Sequence, residues 1–193
     1  MATALNKTHQ MDFANLGLKA QDLDLSGDLD VTDDVTVGGD IAVTGALTTG
    51  GIKMGVVNVT DAATYTILAA NSGKVHVMPD LTADCTLDLP TPAAGLNYVF
   101  IYGGAAADAQ DWIFDSGAAA NYYIGGGIHI DSDAGAGADE VVPVFSDGNS
   151  NDILTVLTPQ AGTKIEFWCD GTNWYVNAVV VSATASALAF TDT

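Results

Sequence analysis

The sequence predicts an all-β protein with an N-terminal arm, a short hexad-repeat β-stem wound as a trimer, and a C-terminal antiparallel β-sandwich or barrel. Three observations carry this. Of the 24 acidic residues, 22 are Asp and 2 are Glu; Asp favours turns where Glu favours helices. From Leu23 to Ile52 apolar residues recur in sixes. From Val56 onward, short β-branched and aromatic runs follow one another between Gly, Pro and Asn-rich turns, the spacing of an antiparallel sandwich or barrel. No stretch has the periodicity of a long amphipathic helix.

Residues 1–22 form the arm. Residues 1–20 hold two lysines, Lys7 and Lys19, against one acid, Asp12; residues 21–193 hold three lysines and 23 acids. Met11, Phe13, Leu16 and Leu18 are apolar handles without a helical stripe. Both properties change where the hexads begin, which suits a segment that docks on another protein. A flexible terminus is the plain alternative. Met1 to Gln10 has no apolar core of a secretory signal.

Residues 23–55 form the stem. The first position of each hexad is Leu23, Leu29, Val35, Ile41 and Leu47, and the third is Leu25, Val31, Val37, Val43 and then Thr49. Apolar residues two apart share one face of a strand. Gly or Asp at the fifth position suits a tight corner. Each hexad therefore reads as a very short strand plus a turn, the grammar of a wound β-structure. Five hexads are too few to be a rod. Burying nine aliphatic side chains yields less than ordering the backbone costs, and a lone ladder has nothing to lay its apolar face against. Three chains wound together, apolar faces inward, resolve this. Two hairpins of one sandwich with an accidental period are the alternative.

Residues 56–193 form the β-domain. Strands are expected at 56–60, 64–68, 74–78, 86–89, 97–102, 112–115, 122–124, 128–130, 141–145, 153–157, 164–169 and 174–181. Asp170-Gly171-Thr172-Asn173 makes a hairpin between the last two. Gly103-Gly104 and Gly125-Gly126-Gly127 read as bends and bulges. The apolar run 176–190 is broken by polar residues and reads as a terminal strand pair rather than a membrane span.

The formal net charge of −19, with five lysines and no arginine, argues against nucleic-acid binding, which needs clustered cations. No membrane partner is read either. The same charge suits salty surroundings, where self-repulsion is screened. Cys85 and Cys169 lack metal or disulfide-scaffold spacing and read as buried free thiols, a single bridge being the alternative. His9, His76 and His129 are far apart. His76 and His129 alternate out of phase with flanking Val and Ile, which places them toward solvent or a subunit seam. No serine sits in a nucleophile elbow. The chain reads as a non-enzyme without cofactor or metal. The loop framed by Asp131, Asp133, Asp139 and Glu140 offers oxygen ligands without EF-hand spacing and reads as a solvated loop. Asp28, Asp34 and Asp40 form a second acidic row, also read as solvated. Trp112, Trp168, Trp174, Tyr122 and Tyr123 are core or interface aromatics, with a sugar platform as the alternative.

The hexads, followed by "TYTILAANSGKVHVM", "TLDLPTPAAGLNYVFIY" and "GTKIEFWCDGTNWYV", resemble the surface proteins of tailed-phage virions: short tail fibres, spikes and capsid decoration proteins. The resemblance spans Leu23 to Val181, and residues 1–22 match none of its motifs. It implies a trimeric structural protein with no catalytic residues to carry over. The expected function is a capsid decoration (cement) protein. Its partners would be copies of itself and the major capsid protein of a phage head, on whose outer surface it would sit after assembly in the host cytoplasm. A short tail fibre recognising a host glycan is the alternative.

Overall fold

The computed structural model describes residues 35–38, 41, 43, 44, 46, 48, 49, 51, 53–104, 107–118, 120–133 and 140–193. The arm residues Lys7, Met11, Phe13, Leu16, Leu18 and Lys19 lie outside the described residues, as do the stem residues Leu23, Leu25, Leu29, Val31 and Leu47. The chain divides into two units, Met1–Thr49 and Gly50–Thr193.

The second unit is built of strands: β1 Val56–Asn58, β2 Thr64–Thr66, β3 Val75–Met78, β4 Cys85–Asp88, β5 Asn97–Tyr102, β6 Trp112–Asp115, β7 Tyr123–Asp131, β8 Val141–Phe145, β9 Ile153–Val156, β10 Lys164–Cys169, β11 Trp174–Ser182 and β12 Leu188–Thr191. They form a seven-stranded sheet, β1-β3-β5-β10-β11-β7-β8, and a five-stranded sheet, β12-β9-β6-β4-β2. The all-β class is the one the sequence predicts, and the two sheets decide for a sandwich where the sequence leaves a barrel open.

The pairing is mixed rather than antiparallel throughout. The first six strands alternate between the sheets. Within one sheet Val56 lies beside Val75 and Val75 beside Val99, all parallel. Within the other, Thr64 pairs with Thr86 and Cys85 with Trp112, also parallel. The chain therefore winds as a two-sided coil, one strand per side in each turn. Each connection passes from one sheet to the other, so the next strand in a sheet returns in the same direction. From β7 onward antiparallel pairs dominate, joining β10 to β5 and β11, β8 to β7, and β9 to β6 and β12. β11 and β7 are again parallel.

The expected turn between β10 and β11 is present: the Asp170 carboxylate accepts from the N–H groups of Thr172 and Asn173, both at 2.8 Å. Two local expectations change. The runs 122–124 and 128–130 are one strand, β7, continuous through the three glycines. The run 176–190 is no strand pair, because β11 belongs to the seven-stranded sheet and β12 to the edge of the other.

The core fills the space between the sheets. Tyr98, Phe100, Phe167 and Trp174 face Trp112, Phe114, Leu87 and Leu154, all fully buried. Phe100 and Phe114 meet edge to face, with ring centroids 4.9 Å apart. His76 and His129 are buried too, which corrects their assignment to solvent or a seam. The ring of His76 stacks on Phe100 at 4.7 Å. His129 Nε2 lies 3.2 Å from the Ser182 carbonyl oxygen. The alternation holds, but the phase that carries His76 and His129 is the one that points inward.

Candidate interaction surface

Each sheet has one face on the core and one face outward, and the two outward faces differ in chemistry. On the five-stranded sheet one outward row runs Thr64, Thr86, Ile113, Thr155, and the next runs Thr66, Asp88, Asp115, Ile153. Threonines and carboxylates interleave with two isoleucines, as expected of a wetted surface.

On the seven-stranded sheet the outward positions are mostly apolar. One row runs Val56, Val75, Val99, Glu166, Asn177, Gly126, Phe145. The next runs Asn58, Val77, Ile101, Lys164, Val179, Ile128, Pro143. Beyond them lie Val181, Ile130 and Val141 on one side, and Asn97, Trp168, Tyr175 and Ile124 on the other. Lys164 and Glu166 are the only charged side chains at these positions, and they pair with each other at 2.6 Å. Val56, Val141, Phe145, Trp168 and Tyr175 are exposed, Phe145 at 71%.

The three glycines shape this face. A Cβ on Gly125, Gly126 or Gly127 would stand 2.3–2.4 Å from a carbonyl oxygen of Val176, Val144 or Ala178. Neighbouring backbone thus approaches more closely than any side chain allows, and Gly125 also has φ +113. The strip leaves a groove of about 340 Å³ lined by the glycines, Ile128, Phe145, Asn177 and Val179 among others.

Burial disfavours the charged forms of His76 and Cys85. Burial lowers the His76 pKa from its ordinary 6.5, and the carbonyls of Lys74 and Val99 only partly offset this. Burial pushes the Cys85 thiol up to about 11, so it is a poor nucleophile. Cys85 and Cys169 are both free and buried. Tyr102 donates to the Asp80 carboxylate.

The remaining expected sites are dispersed. Trp112, Trp174 and Tyr123 are core, whereas Trp168 and half-buried Tyr122 reach the surface, so the five aromatics do not form one platform. Trp168 and Tyr175 instead sit side by side across β10 and β11, and the Tyr175 hydroxyl donates to Asp170 at 3.2 Å. In the acidic loop, the Asp131 N–H donates to the Glu140 carbonyl at 2.9 Å and the Asp131 carboxylate accepts from the Asp133 N–H at 2.9 Å; Asp139 lies outside the described residues. Among the described residues no cluster of three potential ligands is placed to hold a metal, and no helix is long and apolar enough to cross a membrane. Of the expected stem residues, Val35, Val37, Ile41 and Val43 are described and exposed in the single chain, at 63%, 46%, 70% and 48%.

The outward face of the seven-stranded sheet has a sequence signal that alternation alone hides. Asn97–Tyr102 and Trp174–Ser182 are apolar in both phases, which marks strands covered on both sides. The scan against protein-family models and the search of curated proteins return no significant match.

Proposed function

We propose that the chain is a structural protein of a phage virion: a homotrimeric capsid decoration protein that binds and stabilises the outer surface of the head. The observation supporting this is where a single chain leaves its apolar side chains. The aliphatic hexad residues Val35, Val37, Ile41 and Val43 are exposed in a chain of formal net charge −19. Apolar groups placed in water at regular spacing are those an assembly covers. On this reading the stem joins three copies and the arm docks each copy on the major capsid protein. The trimer multiplies weak arm contacts by avidity. The shell gains stability because the trimer binds only its assembled form.

The test is binding to purified heads that lack the protein. The full chain is expected to saturate them at hundreds of copies per particle and to raise their melting temperature. Deleting residues 1–20 should leave a soluble trimer that no longer binds. Full occupancy by the truncated protein would refute the arm assignment. The exposed pair Trp168 and Tyr175 beside Asp170 favours a second reading, a short tail fibre that stacks a host glycan on these rings. A few to a few dozen copies per particle, confined to the tail, would select it.

A further inference from the structure

We propose that the outward face of the seven-stranded sheet is a contact between copies of this chain, covered in the trimer by the same face of its neighbours. This rests on the trimeric reading above and extends it from the stem to the β-domain. The two outward faces set the argument. They belong to one domain and one solvent, yet one carries threonines and two aspartates around two isoleucines, and the other mostly Val, Ile, Trp and Tyr around one Lys–Glu pair and three asparagines. A face meant for water in so acidic a chain would carry acids, as the five-stranded sheet does.

Charge selects the occupant. The apolar face holds a single Lys164–Glu166 pair that cancels itself. A cationic partner finds no unpaired acid there to grip, and would be drawn to the acidic remainder of the molecule. An anionic lipid surface is repelled by the net charge. Two copies repel each other as well, but least when the neutral face lies between them and the acids stay at the periphery, screened by salt. The three faces turn inward on the threefold axis, and Pro143 in edge strand β8, which has no amide to donate, disfavours a continued sheet at that edge. The groove beside Phe145 gives a neighbour's apolar side chain a place to seat.

Asn177 provides the probe, since it lines the groove and is exposed in the single chain. Asn177→Cys and, at the exposed hairpin tip, Thr172→Cys are made in the full chain, whose own Cys85 and Cys169 are buried. Maleimide labelling is followed alongside sedimentation. The expected result is a trimer in which Asn177→Cys labels at least an order of magnitude more slowly than Thr172→Cys, with protection lost as dilution yields monomers. Adding Phe145→Asp should weaken the trimer and restore labelling. A trimer that labels both positions equally overturns the inference and leaves the stem reading standing. Protection that survives in monomers, or arises only with phosphatidylcholine vesicles, overturns it in favour of another segment of the same chain or a lipid. A wild-type chain that is monomeric at micromolar concentration overturns both readings. A protected trimer that persists with Val37→Asp supports the face and overturns the stem.

Discussion

His76 shows how a side chain acquires its properties from its neighbours. Neither ring nitrogen makes a hydrogen bond of regular geometry, the carbonyls of Lys74 and Val99 acting on it only weakly, and the ring lies against Phe100 and Tyr98. Burial lowers its pKa, so the folded state favours the neutral ring. The stabilisation is complete above pH 6.5, the ordinary value. It declines as the pH falls below that, because the unfolded chain takes up a proton that the folded one refuses. The contribution to the slope is at most about 1.4 kcal/mol per pH unit. His76→Phe removes the titrating group and leaves no orphaned partner. Urea midpoints of the variant should match or exceed wild type at pH 7 and fall less steeply below pH 6.5. An unchanged slope would assign the acid sensitivity to other groups. Asp147 gives the same sign of pH dependence by another cause, in a lower range: backbone N–H groups of Ser150 and Asn149 favour its charged form and hold its pKa down to about 2. Its contribution is present above the ordinary carboxylate range and lost as the pH falls toward 2.

Among the elements, β7 departs most from what its residues suggest. Three consecutive glycines disfavour a strand, and the sequence places a bend there. The structure instead pairs β7 with β11 on one side and β8 on the other along the glycines. Two ladders hold the strand, and the missing side chains allow the carbonyls of Val176, Val144 and Ala178 to come close. Gly127→Ala should therefore destabilise the domain by about 1–3 kcal/mol, the range for overpacking, as read from urea denaturation. A variant as stable as wild type would mean that the backbone yields at this point. The β1–β6 coil was equally hidden. Its strands are legible one by one, but the choice between pairing with the next strand and crossing to the other sheet depends on contacts distant in sequence.

For the assembled protein, the proposed stem predicts that charge and apolar contact oppose each other. Val37→Asp would bury an unpaired carboxylate at a threefold seam, and sedimentation should show the trimer shifted toward monomers. An unchanged trimer would exclude the wound stem. Because each chain carries a formal net charge of −19, lowering the ionic strength should also weaken association as screening is withdrawn. A trimer equally stable without added salt would show that its acids lie far apart.

The all-β class, nearly every strand and the Asp170–Asn173 hairpin could be read from the sequence, because turn residues and β-branched runs act over a few residues. The sequence favours free thiols at Cys85 and Cys169 but leaves a single bridge open, and only the structure shows both free. Which phase of a strand faces the core was decided only by tertiary structure. Where both phases are apolar, as at Val75–Met78 and Asn97–Tyr102, alternation cannot choose, and His76 was assigned to the wrong side. The parallel coil and the unequal outward faces belong to the same class of fact. Each depends on which strands lie side by side, and therefore on free energy summed over the whole sheet rather than within one segment.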